Sequence, residues 1–174
     1  EVGISALSLS FEQAISHPEI DLIYIASPHS EHYWMAKAAL EAGKHILVEK
    51  PITYFAHQAK ELFDFAKSQG VLAMEAMWTR YLPQSDIIRA IIAEGSMGEP
   101  QLFVSAFGSD NRSVERLWKK GGGGIVFDMG IYPIAMAQQF MGNPTKIHAT
   151  GKVRPDGMDE ESYAILDYVD GGRA

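Results

Sequence analysis

Short apolar runs alternate with longer stretches of helical periodicity along the first half of the chain. Ile46–Val48 carries no polar alternation, the pattern of a strand buried on both faces of a parallel sheet, and Leu22–Ala26 is a second short apolar run. Between them, Glu31–Ala42 puts Ala36, Ala39 and Leu40 on one helical face, and Gly43 supplies a C-terminal stop. Strand, helix and strand fit into Leu22–Glu49, a βαβ unit of about 30 residues. Upstream, Ser10 caps a short helix that His17-Pro18 ends. Downstream, Ala59, Leu62, Phe63 and Ala66 predict a helix over Ala56–Gln69, with Gly70 as its cap and Phe63 and Phe65 as core. Val71–Met74 reads as the next strand, followed by Glu75.

The second half changes character. Gln84–Glu94 predicts an amphipathic helix with Ile87, Ile88, Ile91 and Ile92 on one stripe. Gln101–Ser105 predicts a strand opening a second domain. Asp110–Lys120 is polar, a solvated loop or a lid. Gly121–Gly124 precedes a helix that Gly142-Asn-Pro144 closes, and such a run lets backbone approach a ligand closely. Lys146–Lys152 and Tyr163–Tyr168 alternate like strands of a one-sided sheet. The domain boundary falls near 76–83, giving domains over 1–78 and 79–174.

Composition narrows the function classes. In 174 residues, 47% hydrophobic content permits a real core. A net charge of −7 without a basic stripe argues against a nucleic-acid partner. Zero cysteines exclude disulfides and thiolate metal sites. No apolar run approaches the roughly 18 residues of a membrane span, and no signal-like segment opens the chain, so the expectation is a soluble, cytoplasmic protein.

The candidate chemistry gathers where strands end. Pro51 has no N–H for a sheet ladder, so the run His45–Pro51 leaves Glu49 and Lys50 at the carboxyl edge, where open α/β sheets bind ligands. A right-handed crossover would bring Ser27, Pro28 and His29 to the same edge. Taken alone, Glu49 and Lys50 read first as a surface ion pair at a strand end, and only the surrounding sequence favours a ligand site. Trp78 and Arg80, two apart just past a strand, suit stacking and anion contact, or simply a domain junction. Asp128 and Tyr132 are four apart and would share one α-helical face. His29 and His32 flank Glu31 without a third ligand at suitable spacing, so no metal is expected.

Ala26-Ser-Pro-His-Ser-Glu-His32, followed by Ala38-Ala-Leu-Glu-Ala-Gly-Lys-His-Ile-Leu-Val-Glu-Lys-Pro51, resembles the Gfo/Idh/MocA family of nicotinamide-dependent oxidoreductases. Gly122, Gly123, Gly124, Asp128, Gly130 and Tyr132 fit a second signature of that family. Met74-Glu-Ala-Met-Trp-Thr-Arg80 and Tyr132 resemble its dihydrodiol and sugar dehydrogenase branch. The resemblance implies an α/β fold: part of a parallel Rossmann sheet, then the start of an α+β domain with an open, mainly antiparallel sheet. It also implies NAD or NADP as cofactor and a homodimer formed through that open sheet.

No G-x-G-x-x-G appears near the start, where such a fold needs its glycine turn, so an internal portion of a longer protein is expected. NAD and NADP are therefore not distinguished here. An unperturbed phenol titrates near about 10 and an ammonium near about 10.4, so either serves as a base only when neighbours and burial shift it. The expected roles follow from the resemblance. Tyr132 moves the proton and Lys50 polarises the reacting oxygen, with Lys50 as the base itself the alternative. Asp128 orients substrate hydroxyls and Glu49 holds the nicotinamide ribose. Ser27, Pro28, His29, His32, Trp78 and Arg80 line the cofactor crevice. The expected reaction is hydride transfer between the nicotinamide and a CH–OH group of a sugar or cyclic diol. The alternatives are an inositol-type dehydrogenase and a sensor that has lost turnover.

Overall fold

The computed structural model describes residues 8–119 and 123–174; the chain start and the expected glycines at 121 and 122 lie outside the described residues. The chain divides into two compact units, the first ending at Ala76 and the second running Met77–Ala174.

In the first unit, α1 (Phe11–Ser16) opens on a capping box in which Ser10 and Gln13 satisfy each other's backbone N–H groups. Then follow β1 (Leu22–Ile25), α2 (His32–Glu41), β2 (His45–Val48), α3 (Ala56–Gln69) and β3 (Ala73–Glu75). The strands are parallel in the order β1-β2-β3, with Ile25 opposite Val48 and Val48 opposite Glu75. Gly70 takes the left-handed conformation at φ 68° and ends α3 where the sequence places its stop.

Ile23, Ile25, Ile46 and Val48 from the sheet pack with Ala36, Ala39, Leu40, Leu62 and Ala66 from the two helices. Each large aliphatic side chain buried this way contributes about 1.5–3 kcal/mol. The expectation of a strand covered on both faces is corrected at β2, where burial alternates and Leu47 is only half-buried. Burial alternates along β1, and Leu22 and Tyr24 on its outer face are 51% and 54% exposed. Residues of α2 and α3 share one core cluster with the sheet, so both helices cover the same face, as successive crossovers of one hand require. Phe65 packs on the core as expected, whereas Phe63 is exposed.

The second unit contains a 3₁₀ turn (Trp78–Tyr81), α4 (Pro83–Ala93), α5 (Glu115–Trp118) and a π turn (Val126–Gly130). It continues with α6 (Ile131–Met141), β4 (Lys146–Val153) and β5 (Asp159–Asp167). Pro83 takes the first helical position of α4, where its missing N–H costs nothing. Strands β4 and β5 pair antiparallel.

Two expectations are corrected here. The segment 101–105 makes only a bridge between Leu102 and Arg173, because Arg173 is its backbone partner on one side and Val104 stays 80% exposed. The sheet is not one-sided either. All eight residues of β4 are exposed, and Leu166 is the buried residue of β5, where it meets Ala137 and Tyr168. Among the described residues no helix is long and apolar enough to cross a membrane, and no group of three His, Asp or Glu could hold a metal.

Candidate functional site

The carboxyl edge of the parallel sheet is knitted together by side chains reaching between strand ends. The ladder continues past β2, with the Glu49 N–H donating to Ile25 O at 2.9 Å and the Ala76 N–H to Val48 O at 2.7 Å. Glu49 is therefore fixed at the edge, its carboxylate accepting from the Tyr24 hydroxyl at 2.5 Å and the Lys50 N–H at 3.2 Å. That hydrogen bond pushes the Tyr24 phenol above its ordinary range. Lys50 is half-buried beside a cis peptide bond to Pro51. Glu75, at the end of β3, accepts the Ile52 N–H at 2.9 Å and restrains the loop that follows Lys50.

His32 has a different role from the one expected. Its ring is wholly buried, with Nδ1 2.8 Å from Pro51 O and Nε2 3.0 Å from Ser27 O. A ring with both nitrogens against backbone carbonyls has no edge left for a cofactor; it clasps the loop after β1 to the loop after β2. His29 is also buried, packing edge-to-face on His32 and on Tyr54. Burial raises the Tyr54 phenol above its usual range. Pro28 is exposed beside it.

The Ser27 hydroxyl is buried without a hydrogen-bond partner among the described residues. An orphaned donor at a strand's carboxyl end, with a fixed carboxylate and an ammonium on the neighbouring strand's end, fits a nucleotide carrying ribose hydroxyls and phosphates. Ser27 and Glu49 could hold one, with Lys50 beside them.

In the second unit, Tyr132 lies between two aromatic rings. Trp78 and Phe107 both meet it edge-to-face at 5.9 Å, and the Trp78 indole N–H donates to the Tyr132 hydroxyl at 3.2 Å. Trp78 and Phe107 are each 55% exposed, so the cluster presents open aromatic surface. Asp128 is nearly covered, and Arg116 donates to its Oδ1 at 3.0 Å. Asp128 sits in the π turn, closed by the Ile131 N–H reaching back to Val126 O, so the spacing of an α-helical face does not apply between it and Tyr132. Arg80 donates to Gln138 on α6 at 2.7 Å, which anchors the 3₁₀ turn carrying Trp78.

Sequence reasoning missed Tyr24, Phe107 and Arg116. Tyr24 looked like one more strand residue. Phe107 and Arg116 lie in or beside a segment read as solvated loop. Only a pairing of Asp128 with a cation would have singled out Arg116, and that segment offers four: Arg112, Arg116, Lys119 and Lys120.

Residues 1–77 match the family described as "Oxidoreductase family, NAD-binding Rossmann fold", and residues 86–174 match the "GFO/IDH/MocA C-terminal domain". A trans-1,2-dihydrobenzene-1,2-diol dehydrogenase of Mus musculus is 33% identical over 166 residues, covering 93% of this chain and 50% of the relative. A D-xylose 1-dehydrogenase (NADP(+)) of Hypocrea jecorina is 32% identical, covering 91% of the chain and 46% of the relative. Among solved structures, an oxidoreductase from Yersinia pestis superposes with a TM-score of 0.77 at 32% identity, over 94% of this chain and 47% of that one. A levoglucosan dehydrogenase, in complex with NADH and levoglucosan, superposes at 0.80 and 25% identity, over 95% and 49%. The chain spans about half the length of the curated relatives it matches. With its strand-end loops and its glycine, aspartate and tyrosine signature, the chain belongs to the GFO/IDH/MocA family of oxidoreductases, and its first unit is of the NAD-binding Rossmann fold.

Proposed function

We propose that the protein carrying this chain is an NAD(P)-dependent dehydrogenase oxidising a CH–OH group of a sugar or cyclic diol to a carbonyl. The observation that carries the reading is the phenol of Tyr132, set among open aromatic rings, on a chain whose relatives are named for diols and sugars. Exposed aromatic faces suit the apolar face of a ring substrate, and a fixed carboxylate such as Asp128 suits its hydroxyls. Bound nicotinamide would supply the hydride acceptor.

The chain's own residues do the rest. Ser27 and Glu49 hold the nucleotide by hydroxyl and carboxylate. Lys50 donates to the reacting oxygen, Tyr132 accepts its proton, and Asp128 orients the neighbouring hydroxyls. The carbinol thereby loses one hydride and one proton and becomes a carbonyl. Cytoplasmic residence and a homodimer through the open β4–β5 sheet belong to the same proposal.

The test uses the full-length protein. NADH and NADPH are titrated by fluorescence, and turnover is then measured on a panel of sugars and diols. The Lys50→Met variant should lose turnover while binding reduced cofactor within a few-fold of the parent. Retained turnover in that variant refutes the mechanism.

A further inference from the structure

Asp128 sits on a turn that no side chain of its own segment caps. The cap comes from a distant residue, Asp159 at the start of β5. Its Oδ2 accepts the Val126 N–H at 2.7 Å. Its Oδ1 lies 2.1 Å from the point a Cβ on Gly124 would occupy, with Cγ at 2.8 Å and the Asp159 backbone nitrogen at 3.0 Å. Gly124 also has φ +70°, which disfavours any side chain there. The space left by the missing side chain is thus filled by a carboxylate of the same chain. At Gly124 the glycine run makes room for Asp159, where the sequence suggested room for a ligand.

We propose that Asp159 is a positioning residue for Asp128. The N–H groups at the start of a helical segment have no partner within it, and a carboxylate is the strongest acceptor available to them. Val126 is held at both its polar groups, the N–H by Asp159 and the carbonyl oxygen by the Ile131 N–H. Val126 and Ile131 flank Asp128, so fixing Val126 fixes the turn from which the carboxylate projects. Arg116 adds the second restraint, on the carboxylate itself. The proposal rests on the reading that Asp128 serves the dehydrogenase reaction.

The test compares Asp159→Ala, Asp159→Asn and Asp159→Glu in the full-length protein. Amide exchange at Val126, the carboxyl ¹³C resonance of Asp128, and the coenzyme KM and kcat are all measured. In Asp159→Ala, exchange at Val126 should accelerate about tenfold, the Asp128 resonance should move, and kcat should fall about tenfold with the coenzyme KM within twofold. Asparagine keeps an oxygen that accepts the same N–H and should restore most of each. Glutamate keeps the charge but displaces it, and should resemble alanine; it also stands in if the alanine variant does not fold. Gly124→Ala should cost much less stability in the Asp159→Ala background than in the parent.

Faster exchange at Val126 with an unmoved Asp128 resonance overturns the proposal, as does an unchanged kcat in an active enzyme. If the parent turns over nothing on the panel, the functional reading fails by itself, and the Asp128 resonance still decides whether Asp159 positions that carboxylate.

Discussion

Replacing His32 with leucine keeps an apolar body in a fully buried site and removes both ring nitrogens. In the native protein those nitrogens face Pro51 O at 2.8 Å and Ser27 O at 3.0 Å. Both nitrogens lie at hydrogen-bond distance from a carbonyl, and losing a hydrogen bond there costs about 1 kcal/mol net. The carbonyl it leaves behind is unsatisfied in a dry environment, which costs a further ~1–3 kcal/mol. The expected loss is about 2–4 kcal/mol. For a chain of this size that lowers the thermal midpoint by about 5–15 °C. Thermal unfolding followed by circular dichroism measures it, with His57→Leu on the exposed side of α3 as control, expected within about 0.5 kcal/mol of the parent. Because the clasp joins the loops of Ser27 and Lys50, the coenzyme KM should also rise several-fold. A His32→Leu protein that melts with the control and keeps its coenzyme KM would refute the assignment of His32 as the clasp.

Other outcomes follow from the same geometry. Leu62→Ala removes a core side chain that is 1% exposed and should cost about 3 kcal/mol in chemical denaturation. Tyr132→Phe should depress kcat by at least tenfold with the substrate KM little changed, since it removes the proton acceptor and keeps the ring stack. Hydrogen bonds from the Arg112 guanidinium hold the Asp110 carboxyl down to about 2, below its ordinary 3.8. With the folded value below the unfolded one, this pair's contribution is present above pH 3.8 and is lost as pH falls toward about 2. A ¹³C titration of Asp110 should find that low midpoint, and Arg112→Ala should return it to the ordinary range.

Much of the first unit was legible from local pattern. Helix α3 occupies Ala56–Gln69 as its periodicity and Gly70 require, and α1 begins on its serine cap. These features are encoded within a turn or two of chain, because helical spacing and capping act between residues three to five apart. The placing of Ser27, Glu49 and Lys50 at strand ends was legible for a similar reason: apolar runs stopped by proline, joined by a crossover of one hand.

Tertiary structure alone decided what those strand ends do to one another. Position 32 carries a histidine that the resemblance puts in the cofactor crevice, and the fold makes it a rivet between two loops. Glu49 takes its partner from Tyr24, Asp128 from Arg116, and Val126 from Asp159 across 33 residues. The segment at 101–105 reads as a strand in sequence, yet its backbone pairing is a single bridge to Arg173. The turn carrying Asp128 widened from α to π with nothing in its own residues to announce it. A hydrogen bond between groups tens of residues apart depends on where the folded backbone puts both of them, and no local spacing records that position. Residue type and periodicity therefore set which segments become helices and strands, while the partner of each polar side chain was settled only when the chain closed on itself.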